Sequence, residues 1–123
     1  MEFREKQAIY LQIAEYVCEQ ILIEKTLTGD KVLSIRDLAV KLEVNPNTVQ
    51  RTYDYLQQKE IIQTKRGMGY FVAEDAEQKI RTLRREQFIE NDLPVFFKNV
   101  NLLNIGFDEI QARFSDYIGT KHT

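Results

Sequence analysis

Val44-Asn45-Pro46 leaves the chain little choice at its centre. Asparagine is a preferred N-cap, and proline at the next position suits the first turn of a helix while blocking the continuation of an earlier one. A helix therefore starts at Pro46, and whatever helix precedes it has ended. The preceding helix has its own start signal. Ser34 is an N-cap with Asp37 three residues on, a capping box with Asp in place of the preferred Glu, and Leu38, Ala39 and Leu42 follow. About three residues, Glu43 to Asn45, join the two helices. Two short helices joined so tightly make a helix-turn-helix candidate.

The flanks complete the pattern. Residues 8–24 read as a helix, with Ile9, Ile13, Val17 and Ile21 spaced four apart on one stripe, closed by the turn signal Thr28-Gly29-Asp30. The helix from Pro46 should reach about Lys59. Beyond it, Ile61-Ile62-Gln63-Thr64 and Tyr70-Phe71-Val72 are β-prone and flank the basic, glycine-punctuated Lys65-Arg66-Gly67-Met68-Gly69, which predicts a hairpin. Three helices and then a basic hairpin is the order of a winged helix-turn-helix. From Glu74 to about Leu103 a further helical region is charged early and apolar late, with Pro94 expected to kink or interrupt it. Asn104 to Gly106 reads as a break, and Asp108 is expected to cap a last helix carrying Ile110, Phe114 and Ile118. The expected fold class is mainly α with a small β-hairpin. A winged helix-turn-helix domain covers residues 1–73, and a short two-helix C-terminal region covers 74–123.

At 123 residues the chain is one domain, or a small domain with an appendage. Its one cysteine, Cys18, and one histidine, His122, allow neither an internal disulfide nor a zinc site. His122 is the second-last residue, where chains fray, so a Ser-His-Asp or Cys-His arrangement is not expected. No glycine-rich phosphate loop is present, and acidic pairs such as Glu109 and Asp116 read as solvated helix faces. Neither catalysis nor a cofactor nor a metal is expected. No apolar run approaches the ~18 residues of a membrane span. The charged opening Met1-Glu2-Phe3-Arg4-Glu5-Lys6 gives no secretory signal, and a single thiol fits a reducing cytoplasm. The net charge of −2 does not mark a nucleic-acid binder, yet residues 31–70 hold seven basic and four acidic side chains. That local basic surface permits phosphate contact.

The helix from Pro46 has two faces. At ~100° per residue, Val49, Thr52, Tyr53 and Leu56 share one side, and Asn47, Gln50, Arg51 and Asp54 share the other. The second side is entirely polar, and its members can reach base edges: Arg suits guanine O6/N7, and Asn or Gln suits adenine N6/N7. Any surface helix has a solvated face, but here the preceding turn and the basic hairpin favour the recognition reading. Gly67 and Gly69 serve hairpin geometry and also keep the tip slim beside Lys65 and Arg66, so that its backbone can approach a phosphate or a minor groove. Ser34 and Arg36 begin the preceding helix, whose N-terminus is a natural phosphate site.

Ile9-Tyr10-Leu11-Gln12-Ile13-Ala14, Ser34-Ile35-Arg36-Asp37-Leu38-Ala39, Val44-Asn45-Pro46-Asn47-Thr48-Val49-Gln50-Arg51 and Arg66-Gly67-Met68-Gly69-Tyr70-Phe71-Val72 occur in this order. Together they resemble the N-terminal domain of the GntR family of bacterial transcription regulators, over about half the chain. The resemblance implies a transcription regulator that binds palindromic double-stranded DNA operators as a homodimer; a repressor is the expected role, with activation left open. It implies DNA contacts at Ser34, Arg36, Asn47, Thr48, Gln50 and Arg51, and at Arg66, Gly67 and Gly69 in the wing. Leu33 stands where the family usually has proline, Glu60 where glycine commonly ends the third helix, and Tyr70 where threonine is usual. Tyr70 is therefore left out of the implied site. About fifty residues follow Val72, which resembles the short-tailed YtrA-like branch, whose two tail helices dimerise.

Phe96, Phe97, Val100, Leu103, Ile110, Phe114 and Ile118 are too many apolar groups for two helices to hide from water alone, so they are the expected dimer contacts. A tail this short cannot easily enclose a ligand pocket of ~300 Å³ within one subunit, and an effector site shared across a dimer stays open. The alternative reading is a winged helix that binds protein partners and has no DNA role.

Overall fold

The computed structural model describes residues 7–24 and 27–120. The charged opening Met1–Lys6 and His122 lie outside the described residues. The chain divides into two compact units, one ending at Leu83 and the other beginning at Arg84.

In the first unit, α1 spans Ile9–Ile23, α2 Ile35–Leu42 and α3 Pro46–Gln58. The stripe read from the sequence is buried at Ile13, Val17 and Ile21, while Ile9, at the exposed end of α1, stays half in water. Leu38 and Ala39 of α2 and Val49, Thr52, Tyr53 and Leu56 of α3 pack against that stripe. Both expected caps form. Ser34 Oγ accepts from the Asp37 N–H at 3.0 Å, and Asn45 Oδ1 from the Asn47 N–H at 2.8 Å.

α2 and α3 end in the same way. After α2, the N–H groups of Val44 and Glu43 reach back to the carbonyls of Ala39 and Val40. After α3, those of Ile61 and Glu60 reach Leu56 and Gln57. These are Schellman closures, which place one residue in the left-handed region, normally glycine. Here glutamates take that place, Glu43 at φ 55° and Glu60 at φ 61°. The apolar contact that accompanies such a closure is made after α3 by Ile61 and Leu56, both fully buried.

The hairpin consists of β1, Ile62–Lys65, and β2, Gly69–Val72, paired antiparallel from Ile62 opposite Val72 to Lys65 opposite Gly69. The segment read only as a turn does more than turn. Gly29 N–H donates to Val72 O and Val72 N–H to Asp30 O, each at 2.8 Å; Val32 N–H donates to Tyr70 O at 3.0 Å. Residues 29–32 thus line the free edge of β2, with a bridge between Lys31 and Phe71.

α4 spans Ala76–Gln87, and its residues up to Leu83 belong to the first unit. Its few apolar residues Ala76 and Ile80 are buried in the same core, and Leu83 packs on it. Most of its charged residues face water, with Glu77 and Arg81 paired one turn apart, while the half-buried Lys79 donates to Glu60 O at 3.3 Å.

In the second unit, residues 88–92 are π-helical and lead into α5, Leu93–Leu102. This is how the expected disturbance at Pro94 is met. Proline supplies no N–H and its ring crowds the carbonyl four residues back, so the preceding turn widens. The Leu93 N–H accordingly donates to Phe88 O, five residues back. Asn104, at φ 54°, closes α5. The last helix, α6, spans Phe107–Gly119. Its N-cap is Gly106 rather than the expected Asp108. Gly106 already has the extended backbone of a cap, and Asp108 and Glu109 fall inside the first turn, where their charge suits the helix dipole. None of the described residues of this unit is buried. No described helix is long and apolar enough to cross a membrane.

Candidate nucleic-acid interface

α3 is held from its buried side by two hydrogen bonds that leave its other side free. Thr52 Oγ1 donates to Tyr10 O in α1 at 2.8 Å, and Tyr53 Oη donates to Leu33 O, just before α2, at 2.6 Å. Thr52 and Tyr53 are almost wholly buried, so both polar atoms need those partners. Burial, with Tyr70 beside it, pushes the Tyr53 phenol well above the ordinary tyrosine range. The Leu33 carbonyl ties α3 to the start of α2, which fixes the angle of the helix-turn-helix.

On the opposite side Asn47, Gln50, Arg51 and Asp54 are exposed, and Thr48 is half-buried. The side chains are not loose. The Arg51 guanidinium carbon lies 4.0 Å from the centre of the Tyr10 ring. A cation over an aromatic face gains about 0.5–1 kcal/mol at an exposed site. The stack also orients the guanidinium fork, which is the part that matches guanine O6/N7. Gln50 Nε2 lies 3.0 Å from Asp54 Oδ1 and 3.5 Å from Tyr70 Oη.

Ser34 and Arg36 stand exposed at the N-terminus of α2. The Ser34 oxygen accepts from Asp37 N–H, and its own hydroxyl hydrogen is left to donate outward. At the wing tip, Met68 N–H bonds to Lys65 O at 2.8 Å, with Gly67 at φ 75° as the third residue of the turn. That position of a type II turn requires positive φ. Gly69, at φ 110°, also lies close to Lys31: a Cβ there would stand 3.2 Å from Lys31 Cε. Arg66 is exposed at the tip, while Lys65 turns back, its Nζ 4.6 Å from the centre of the Phe71 ring.

All nine residues read from the sequence therefore lie in the first unit, in α2, α3 and the wing. Four others belong with them. Tyr10 carries Arg51. Tyr70 touches both Gln50 and Tyr53, whose ring it meets edge-on at 4.8 Å. Asp54 holds Gln50. Lys31 adds a cation beside the wing glycines. Asp54 was visible on the polar side of the helix. Tyr10 and Lys31 carry no local signal, because each matters through a partner more than thirty residues away, and Tyr70 stands out only as a departure from the family pattern.

The family model described as bacterial regulatory proteins, gntR family, matches residues 9–72. The chain is 43% identical over 76 residues to the HTH-type transcriptional regulator YhcF of Bacillus subtilis, itself uncharacterized; the match takes in 62% of this chain and 63% of that protein. It is 33% identical over 103 residues to the HTH-type transcriptional repressor YtrA of Bacillus subtilis, covering 80% of this chain and 79% of the relative. Among solved structures it is similar to a GntR family transcriptional regulator from Listeria monocytogenes. The TM-score is 0.74 at 37% identity, over 93% of this chain and 98% of that one.

Proposed function

The chain belongs to the gntR family of bacterial regulatory proteins and is a DNA-binding transcription regulator, not an enzyme, and on that premise we propose that it represses by binding a palindromic operator as a homodimer. In this reading α3 enters the major groove and presents Asn47, Thr48, Gln50 and Arg51. Ser34 and Arg36 hold a phosphate at the start of α2. The wing lays Arg66 and the backbone around Gly67 and Gly69 on a phosphate or in the minor groove. The protein acts in the cytoplasm, where bacterial DNA is.

The observation that carries this is the ordered polar face of α3, with Arg51 stacked and Gln50 hydrogen-bonded ahead of any partner. Side chains fixed in advance lose less freedom on binding. The dimer is supported by the second unit. Phe96, Phe97, Leu103, Phe114 and Ile118 are each at least 40% exposed, and Val100 and Ile110 are half-buried. Phe88, Val95, Leu102 and Phe107 are exposed as well. Each such side chain gains about 1.5–3 kcal/mol when covered, so a second copy has much to bury. A two-fold pair would set two recognition helices on half-sites about one DNA turn or more apart.

Selection of bound sites from random duplexes tests both parts. The expected product is an inverted repeat whose binding weakens steeply with salt, because phosphate contacts release counterions. Recovery of no preferred sequence, with retention on neither duplex DNA nor heparin, would favour the protein-interaction reading.

A further inference from the structure

Gln50 is expected from its residue type alone to bind adenine through both ends of its amide, donating to N7 and accepting from N6. Its surroundings remove half of that capacity. An ionised carboxylate only accepts, so the contact with Asp54 Oδ1 at 3.0 Å consumes one of the two Nε2 hydrogens. The other points to Tyr70 Oη, 3.5 Å away. Tyr70 is itself held by its edge-on contact with the buried Tyr53 ring, which is bonded to Leu33 O. What Gln50 can offer outward is its Oε1, an acceptor, beside the acceptor-only carboxylate of Asp54.

We infer that Gln50, Asp54 and Tyr70 form an acceptor pair with its brace, and that the pair selects cytosine through its N4 amino group at one position of each operator half-site. This rests on the DNA reading above and sharpens it. In the major groove only cytosine N4 and adenine N6 donate. Adenine sets its N7 acceptor beside that donor, and with both Nε2 hydrogens engaged Gln50 has nothing to give it. Guanine presents two acceptors, and thymine an acceptor and a methyl group, so both meet the pair with repulsion. Cytosine alone offers a donor with no acceptor beside it on the same base, the nearest being O6 of its paired guanine. Tyr70 acts here as a positioning residue for specificity, through Gln50 rather than on the base.

The test begins with site selection by the full chain, by Gln50→Ala and by Tyr70→Phe. The wild type is expected to hold a cytosine in each half-site that Gln50→Ala no longer distinguishes. Tyr70→Phe keeps the ring and frees one amide hydrogen, so preference at that same position should move toward adenine. Independently of any variant, replacing that cytosine by 2-pyrimidinone, which lacks the N4 amino group, should weaken wild-type binding about 2- to 12-fold, the loss of one hydrogen bond. Three results would overturn the acceptor pair. They are a Gln50-dependent position occupied by a base other than cytosine, an unchanged preference in Tyr70→Phe, and indifference to the loss of the amino group. A wild type that selects no sequence would overturn the regulator reading instead, so the two failures are separate.

Discussion

Replacing Tyr53 by Phe removes one oxygen from the joint between α3 and α2. The ring stays, together with its contact to Tyr70, but the Leu33 carbonyl loses the hydroxyl that donates to it at 2.6 Å. A lost hydrogen bond of this kind costs about 0.5–1.5 kcal/mol, and a carbonyl left without a partner about 1–3 kcal/mol. Leu33 is 45% exposed, so water can partly replace the donor, and a loss of about 1 kcal/mol at pH 7 is expected. The difference should then change with pH. In the unfolded chain Tyr53 ionises near pH 10, whereas in the folded protein burial keeps it neutral to higher pH. Above about pH 10 the unfolded state therefore holds fewer protons than the folded one, and stability falls as pH rises, by at most about 1.4 kcal/mol per unit for one group. Tyr53→Phe has no such group to titrate. Its deficit should be constant up to about pH 9, shrink above pH 10, and vanish about one unit later. Urea unfolding of both proteins at steps between pH 7 and 11 measures this directly. A gap that stays constant to pH 11 would show that the folded state does not hold this phenol neutral.

Arg51→Ala should lower affinity for the selected operator by about 1–3 kcal/mol and relax specificity at one guanine, and Tyr10→Ala should cost a smaller part of that through the lost stack; competition binding with point-changed operators separates the two. Arg66→Ala should weaken binding to all sequences alike and reduce the slope of log affinity against log salt by about one, read from a salt titration. Truncation after Leu83 should leave a folded monomer with much weaker operator affinity, whereas truncation after Glu74 should also destabilise the fold, because Ala76 and Ile80 are part of the first unit's core; sedimentation and thermal melts of both fragments decide it. Glu60→Gly should stabilise the protein, since the left-handed conformation costs a non-glycine residue about 1–2 kcal/mol and glycine returns about 0.5–1 of that as unfolded-state entropy. The melting temperature should rise by about 2–5 °C with operator binding unchanged.

What could be read from the sequence was set by interactions that close within one turn of chain. The caps at Ser34 and Asn45 each bond to an N–H two or three residues on, so the start of α2 and of α3 was written in adjacent letters. The division of α3 into a buried and a polar side followed from its period, because nothing interrupts that helix. α4 hid its role for the opposite reason. Ala76 and Ile80 are four apart, a legible spacing, but so many charges surround them that the stretch reads as solvated. Their burial becomes evident only once the core of α1 and α3 is there to receive them. The edge pairing of residues 29–32 had no signal at all, since a strand that short is stabilised by β2 and not by its own residues. Asp108 failed as a cap because Gly106, which offers no side chain, reached the extended conformation first.

The choice of base belongs to the unreadable part, and its physical cause is specific. Arg51 and Gln50 sit on the exposed side of α3 whatever surrounds them, so their exposure is a local fact. Which atoms they offer depends on Tyr10 and Tyr70, which reach α3 from α1 and from β2. Tyr70 stands where the family pattern has threonine, too short a side chain to span from the wing strand to Gln50. A change from a short hydroxyl to a long one thus leaves the winged fold as it is, yet alters how the amide is held. On this argument, family members that share the α3 residues Gln50 and Asp54 but carry threonine at the position of Tyr70 should free one amide hydrogen and read adenine there. Introducing Tyr70→Thr into this chain is the matching experiment, and an operator preference identical to that of the wild type would break the link between the wing strand and the base.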